Sequence, residues 1–191
     1  MPRPRSKQPI PEHAKKVFSG VIFDVYQWEQ KMYDGSVETF EKLKRVDTVN
    51  IIPVTSEGKI LISEQEQPSI QPFIGTFGGR LDPGESPFKA AQRELLEESG
   101  HTSSAWQLWQ AFQPLEKIDW AIYTFIAKNC RPVAKISPDV GEKITVKAVS
   151  FEEFLEVAQL PNFRDSEITL YVLAALANPQ KMADLRELLL K

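Results

Sequence analysis

Three glutamates in one short segment, Glu94, Glu97 and Glu98, are the residues of this 191-residue chain whose types and spacing point most directly to chemistry. On a helix, positions i, i+3 and i+4 share one face, so the spacing predicts that the three carboxylates point outward together. A solvated acidic face is the simplest interpretation of such a helix. However, like charges this close repel each other, and Arg93 offers only one compensating charge. A divalent cation offers two, so the segment predicts a metal site.

The ligand atoms narrow the choice of metal. Carboxylate oxygens are hard ligands, which favour Mg²⁺ and leave Mn²⁺ as the alternative, whereas zinc sites usually contain nitrogen or sulfur. Mg²⁺ in proteins is commonly shared between one or two carboxylates and the phosphates of a substrate. The acidic segment therefore predicts a phosphorylated small-molecule substrate, such as a compound with a pyrophosphate bridge.

A glycine-rich loop comes directly before the acidic segment. Gly78 and Gly79 allow close approach of the backbone, and residues 82–84 (Asp-Pro-Gly) form a turn signal. Taken alone, these glycines are equally consistent with a simple turn. Glu85 lies eight residues before Arg93, and we expect the two to pair and fix the loop on the helix.

Residues 86–99 give the strongest helix prediction before the C-terminal third of the chain. Ser86 is a suitable N-cap, Pro87 suits the first turn, and Gly100 lies just past the predicted end. The buried side is expected to contain Phe88, Ala91, Leu95 and Leu96.

Together, these residues resemble the signature of the Nudix hydrolase family, which extends here from Gly79 to His101. The chain departs from it only at His101, where the family has an aliphatic residue. The seven matching positions are Gly79, Glu85, Arg93, Glu94, Glu97, Glu98 and Gly100. The resemblance implies an α+β fold, in which a mixed sheet lies between helices as an α/β/α sandwich. It also implies hydrolysis of a nucleoside diphosphate linked to a further group.

The resemblance assigns roles to individual positions. It implies that water attacks a phosphorus atom, while metal ions neutralise the phosphate oxygens and acidify that water. The general base is implied to be Glu142, in a loop where Gly141 is a candidate hinge, or else Glu98. The implied metal ligands are Glu94, Glu97, Glu98 and the carbonyl of Gly79. The implied catalytic set is Glu85, Arg93, Glu98 and Glu142.

Within the family, the regions around the signature are similar to the ADP-ribose and nucleotide-sugar pyrophosphatases. The chain departs from that branch at residues 65–68, which read Gln-Glu-Gln-Pro and lack its arginine, and at residues 76–79, which lack its acid. The similarity implies ADP-ribose or a nucleotide sugar as substrate. Two alternatives are hydrolysis of modified nucleoside triphosphates and a non-catalytic nucleotide sensor or scaffold.

Several residues are candidates for substrate contact. A purine ring needs an aromatic surface, which Trp28 and Phe40, and after them Phe23 and Tyr26, can provide, although core packing is the ordinary role of such residues. The resemblance adds Arg80 and Arg164. It also implies that the N-terminal β-region is exchanged across a two-fold axis, which predicts a homodimer.

The elements that must position these residues follow from patterning. The chain predicts two hairpins, then the catalytic helix, then further strands and closing helices, in one α+β domain. The hairpins pair residues 17–28 with 37–46 and residues 48–55 with 59–65. The later strands are residues 106–112, 119–128 and 143–150, and the later helices are residues 151–160, 166–177 and 181–190.

Composition completes the prediction. We expect a flexible, basic, proline-rich tail over residues 1–16, a β-region for dimerisation and base contact over 17–46, and the catalytic domain over 47–191. The net charge is −3. Acidic residues outnumber basic ones outside the tail, which argues against nucleic-acid binding because that affinity comes from a positive surface. No apolar run is long enough for a membrane span. The lone Cys130 excludes an internal disulfide and favours a reducing compartment, the cytoplasm.

Overall fold

Two β-sheets and four α-helices make up the structure, a computed structural model that describes residues 2–191. The smaller sheet has four strands in the order β1-β2-β3-β9. Its strands are β1 (Lys15–Ser19), β2 (Asp24–Lys31), β3 (Val37–Lys44) and β9 (Ile118–Asp119). The predicted first hairpin is present as β2 and β3, which pair antiparallel from Asp24↔Lys44 to Lys31↔Val37.

The predicted strand over residues 17–28 is in fact two strands. Gly20 donates its N–H to the carbonyl of Phe23, and this turn reverses the chain so that β1 pairs antiparallel with β2. A glycine at the turn explains why a run of apolar residues does not continue as one strand.

The larger sheet has seven strands and carries the candidate site. Its main path is β11-β5-β4-β10-β7, with β6 beside β5 and β8 beside β10. Because β4 and β10 are parallel while the other pairs are antiparallel, the sheet is mixed as predicted. The strands are β4 (Thr48–Thr55), β5 (Ile60–Glu66), β6 (Phe73–Gly75), β7 (His101–Thr102), β8 (Ala105–Phe112), β10 (Ile122–Pro132) and β11 (Lys143–Val149).

Helices cover both faces of the larger sheet. Along β4, side chains alternate: Val49 and Ile51 belong to the core beneath the first helix, whereas Ile52 and Val54 belong to the core beneath the other three. The helices are α1 (Pro87–Ser99), α2 (Phe151–Val157), α3 (Ser166–Leu176) and α4 (Pro179–Leu190). The α/β/α arrangement confirms the predicted fold. No helix within residues 2–191 is both long and apolar enough to cross a membrane.

The N-terminal segment differs from the flexible tail predicted for residues 1–16. Arg3 forms ion pairs with Asp47 and Asp119, and Lys42 binds Ser6 and Gln8, so the segment lies against the body of the protein. Amino-acid composition cannot reveal contacts between residues that are far apart in the chain. The first strand already begins at Lys15 within the predicted tail, and position 1 lies outside the described residues.

Candidate active site

Helix α1 has the ends that its sequence predicts. The side chain of Ser86 accepts a hydrogen bond from the N–H of Lys89, and Pro87 is the first helical residue. Gly100 ends the helix in the left-handed region, with φ of 69°, and its N–H donates to the carbonyl of Leu96. These local signals fix the length of α1 and therefore the register of the glutamates along it.

The orientation of α1 corrects the prediction that its three glutamates point outward. Glu94 is 9% exposed and Glu98 is 4% exposed, and only Glu97 is partly open to solvent. Conversely, Phe88 and Leu96, which were predicted to be buried, lie at the surface. The helix buries its acidic side because the loop over residues 77–80 covers it.

Backbone hydrogen bonds attach this loop to strand β4. The N–H of Val49 donates to the carbonyl of Gly79 at 2.9 Å, and Ile51 exchanges two hydrogen bonds with Phe77 at 2.7 and 3.2 Å. The loop thus behaves as an extra strand beside β4, and its position is set by the core of the sheet.

The two glycines of the loop bring its backbone onto the acidic side of α1. Gly78 has φ of 146°, where a side chain would overlap the carbonyl of Val49, and its N–H donates to Oε2 of Glu98 at 2.8 Å. A side chain at Gly79 would overlap the carboxylate of Glu94. Gly78 therefore requires glycine, because of its φ and its contact with backbone atoms, whereas a larger residue at position 79 would displace the Glu94 carboxylate.

Arg93 connects the loop to the acidic face. Its guanidinium donates to both carboxylate oxygens of Glu85 at 3.0 and 3.2 Å, which is the predicted pair. The same group donates to Glu94 and Glu97, each at 2.9 Å, and to the carbonyl of Arg80 at 3.0 Å. One cation therefore binds three carboxylates and a loop carbonyl, which holds them in a fixed arrangement.

Burial changes the acidity of the buried glutamates. It raises the pKa of Glu94 to about 7, against the opposing effect of Arg93. Burial also raises the pKa of Glu98 to about 8, although the hydrogen bond from Gly78 acts in the opposite direction. Two carboxyl groups that hold a proton near neutral pH lie side by side, an arrangement found at functional sites.

A metal ion suits this donor set, although the side chains do not converge as a ready cage. Among residues 2–191, no group of three or more His, Cys, Asp or Glu is arranged to hold a metal. The physical reason is that Arg93 engages Glu94 and Glu97, while Glu98 turns to Gly78. The donors are nevertheless hard oxygens, and burial disfavours their charged forms unless a cation is added. Glu94, Glu97 and Glu98 therefore fit Mg²⁺ or Mn²⁺. The carbonyl of Gly79 keeps one lone pair beside its bond to Val49.

Glu142 joins this acidic region from the loop before β11. It accepts a hydrogen bond from Gln67 at 3.0 Å, and burial raises its pKa. Its charge also raises the pKa values of Glu94 and Glu98. The predicted general base therefore interacts electrostatically with two of the predicted metal ligands.

Three arginines, Arg45, Arg80 and Arg164, are called the arginine cluster here because the charges of Arg80 and Arg164 act on Arg45. The pKa of Arg45 is lowered by burial and then by the charges of Arg80 and Arg164. Arg164 in turn lowers the pKa values of Glu98 and Glu142. No acidic residue in the described part of the chain forms an ion pair with any of the three. The arginine cluster therefore carries positive charge that no carboxylate of the described residues neutralises by an ion pair.

Arg45 and Trp120 belong to this site and are absent from the sequence prediction. The guanidinium of Arg45 lies 4.5 Å from the ring of Trp120 and 5.7 Å from that of Phe23. Its Nε is buried and has no hydrogen-bond partner among the described atoms. The two residues are 75 positions apart by their numbers, so no local pattern reveals the contact. The only signal in the sequence is an arginine at the end of a strand.

The two aromatic residues preferred for base contact form a separate pair, and Tyr26 lies beside Lys16 and Lys44. Trp28 is 7% exposed and stacks on Phe40, with ring centroids 6.1 Å apart and planes inclined by 18°. The ammonium group of Lys117 lies over the Phe40 ring, 4.9 Å from its centroid.

Of the aromatic residues predicted to contact the base, Phe23 is the one that lies near Arg45, at 5.7 Å. Trp120 and Phe73, which were not predicted, lie against Arg45 and Arg164.

Comparison with known proteins identifies this architecture. A family model described as "NUDIX domain" matches residues 44–171. The chain therefore belongs to the Nudix family, and the prediction of a Nudix hydrolase is confirmed.

The chain is also similar to two proteins by sequence and to one solved structure by fold. It is 28% identical to the ADP-ribose pyrophosphatase of Bacillus subtilis (strain 168) over 156 residues, which cover 80% of this chain and 84% of that protein. It is 25% identical to the methanol dehydrogenase activator of Bacillus methanolicus over 163 residues, covering 83% and 88%. A crystal structure of an ADP compounds hydrolase shares the fold, with a TM-score of 0.71, 18% identity, and coverage of 92% of this chain and 97% of that one.

Proposed function

We propose that this chain hydrolyses the pyrophosphate bond of ADP-ribose or a related nucleotide sugar, giving a nucleoside monophosphate and a sugar phosphate. The observation that supports this most is the buried pair Glu94 and Glu98 beneath the glycine loop, braced by Arg93. The similarity to an ADP-ribose pyrophosphatase supports the substrate class.

The proposed cofactor is Mg²⁺, with Mn²⁺ as the alternative, bound by Glu94, Glu97 and Glu98 with help from the Gly79 carbonyl. When bound, the metal neutralises phosphate oxygens and lowers the pKa of the attacking water. Arg93 holds Glu94 and Glu97 in position from behind, and Glu85 holds Arg93. Binding requires Glu97 to exchange part of its contact with Arg93 for the metal, which its partial exposure allows.

The proposed proton acceptor is Glu142, because Glu98 is bound to Gly78 and is assigned to the metal. A water oxygen forms a bond to one phosphorus, the bridging P–O bond breaks, and Glu142 takes the proton of the water. The partial burial of Glu142 keeps its pKa raised, which suits a base that must accept a proton.

Substrate contacts are proposed for both ends of the diphosphate. Arg45, Arg80 and Arg164 bind its oxygens, since their charges have no acidic partner in residues 2–191. Phe23 is proposed to contact the base, together with Trp28 and Phe40 from a second subunit of a homodimer. The single free thiol of Cys130 is buried, and we place the protein in the cytoplasm.

The decisive experiment compares Glu98→Gln with wild type on ADP-ribose in the presence of Mg²⁺. We expect turnover to fall by about 10²-fold or more, because the substitution removes a metal ligand while adding no volume. Glu156→Gln, on the exposed side of α2, is the matched control and should leave turnover unchanged. Equal activity of Glu98→Gln and wild type would defeat the assignment.

A second candidate function is hydrolysis of nucleoside triphosphates. It is favoured by the arginine cluster, since three guanidiniums provide more positive charge than a single diphosphate requires. A panel of ADP-ribose, nucleotide sugars and nucleoside triphosphates, assayed by phosphate and monophosphate release, separates the two. Higher kcat/KM on triphosphates would replace our first proposal with the second.

A further inference from the structure

The N-terminal segment is attached to the protein at its start by Arg3. Nε and Nη2 of Arg3 donate to the two carboxylate oxygens of Asp47 at 2.7 and 2.8 Å, and Nη1 donates to Asp119 at 2.8 Å. The side chains of Asp47 and Asp119 are only 15% and 14% exposed. Two carboxylates in this setting repel each other, so the guanidinium between them supplies the charge that keeps both in place.

Asp47 also helps to fix the position of the loop over residues 77–80, which is called the active-site loop from here on. Its backbone carbonyl accepts a hydrogen bond from the N–H of Leu81 at 3.0 Å, and its carboxylate accepts one from Ala121 at 2.8 Å. The next residue, Thr48, forms a β-bridge with Arg80. A shift of Asp47 therefore moves Arg80 and Leu81, the end of the loop that stops pairing with β4 and leads towards helix α1.

The same loop reaches the glutamates through Arg93. The carbonyl of Arg80 accepts a hydrogen bond from Nη2 of Arg93 at 3.0 Å. The other nitrogens of this guanidinium bind Glu85, Glu94 and Glu97. A continuous series of contacts therefore runs from Arg3 through Asp47, Leu81 and Arg80 to Arg93.

The remainder of the segment is held at a few points rather than by continuous packing. Lys42 donates to Ser6 and Gln8, and Gln113 donates to the carbonyl of Pro4. Between these points, residues 4–7 line a cavity of about 1100 Å³. Loss of the Arg3 contacts is therefore local, because the other anchors keep the segment in place.

We propose that Arg3 is a positioning residue for the reaction, acting through Asp47 on the loop that holds Arg93. It touches neither substrate nor metal ligands. The inference rests on the proposed function for its effect on turnover, but its effect on the loop is measurable independently.

The kinetic test uses full-length Arg3→Gln, with Arg5→Gln as the matched control. Arg5 is an exposed arginine of the same segment without an ion pair among the described residues. We expect Arg3→Gln to lower kcat about tenfold with little change in KM, at the low end of the effect of removing a direct partner of a metal ligand, because Arg3 acts on Arg93 only through Asp47 and the loop. Arg3→Lys keeps the charge but not the two-pronged contact, and should recover part of kcat. Arg5→Gln should match wild type.

The second measurement is amide hydrogen exchange without substrate or metal. Arg3→Gln should accelerate exchange at Leu81 and Ala121, whereas the buried α3 residue Val172 should exchange as in wild type. This pattern separates a local shift of the loop from general destabilisation, which would accelerate all three amides.

The outcomes are distinct. Selective exchange at Leu81 together with the fall in kcat supports the proposal. Unchanged kcat in Arg3→Gln overturns it, and so does a fall in kcat accompanied by uniform acceleration of exchange. If the wild type hydrolyses no substrate of the panel, the proposed function fails, and exchange alone decides: faster exchange at Leu81 supports the role of Arg3, and unchanged exchange overturns it.

Discussion

At the scale of single residues, the main feature is that Arg93 neutralises part of the negative charge of several carboxylates that the fold has removed from water. The sequence pattern places Glu94 and Glu98 correctly on one side of α1, but it cannot show that a loop closes over that side. The identity of the acidic group was predictable from spacing alone. Its burial, and with it the raised pKa values, depends on the pairing of the loop with β4, which is a long-range contact.

The raised pKa values predict how stability depends on pH. A folded-state pKa above the unfolded value of 4.5 stabilises the fold below that value, and the contribution is lost as the pH rises through the folded pKa. We therefore expect the Tm of metal-free protein to fall between about pH 5 and pH 8, the interval in which these two carboxyl groups are ionised in the unfolded chain but still hold protons in the fold. Bound Mn²⁺ should oppose this loss, and its affinity should rise over the same interval. Thermal unfolding with EDTA or with Mn²⁺ measures both. A pH-independent Tm in EDTA would contradict the assigned shifts.

Gly78 provides a residue-scale prediction for the loop. Gly78→Ala places a side chain at φ of 146° against the carbonyl of Val49, so we expect a loss of about 3 kcal/mol in unfolding free energy. Gly141→Ala is the control. A Cβ added there would meet no other atom within 4 Å, so stability should change by less than about 0.5 kcal/mol. Urea denaturation compares the two. Equal midpoints would show that the loop adapts without cost.

At the scale of elements, α1 carries the best local signals in the chain. Ser86→Ala removes the side-chain oxygen that accepts the N–H of Lys89, so we expect a loss of about 1 kcal/mol in unfolding free energy. Ser104→Ala, at an exposed position, should have almost no effect. Urea or thermal unfolding provides the measurement, and an unchanged Ser86→Ala variant would show that the cap is dispensable.

The elements that could be predicted are those with signals inside their own segment. Helix α1 has a cap and an end glycine, and the strands β4 and β5 have continuous apolar residues with a turn between them. The short strands β6, β7 and β9 were not predicted, because each exists only by pairing with a distant partner. The same reason hides the contact of Arg45 with Trp120, which the topology creates where β3, β9 and the start of β10 meet.

At the scale of the whole molecule, the N-terminal sheet leaves apolar side chains in solvent. Phe18 is 60% exposed and Val21 is 98% exposed, with Val17 and Ile22 beside them. Such a patch is typical of an interface. We expect light scattering to give a dimer for wild type and a monomer for Val21→Glu. Val133→Glu, at an exposed position at the end of the larger sheet, should remain a dimer. A wild-type monomer at micromolar concentration would remove the homodimer from the proposal.

The charge distribution also gains a structural meaning at this scale. The basic N-terminal segment and the acidic body are not independent, because Arg3 pairs with Asp47 and Asp119, and Lys7 with Glu116. Composition predicts the opposite signs of the two parts but not their contact. Flexibility was the expectation from four prolines, yet specific ion pairs hold the segment to the protein.

The pairing of Arg3 with Asp119 has a consequence for synthesis on the ribosome. One of the two carboxylate partners of Arg3, Asp119, lies 116 positions further along the chain, so this contact cannot form until that residue has left the exit tunnel. The parallel strand β10, which completes the sheet beside β4, follows directly after that partner. Nascent chains interrupted before this point lack both, so the segment around Arg3 gains its full set of anchors only after β10 has been made.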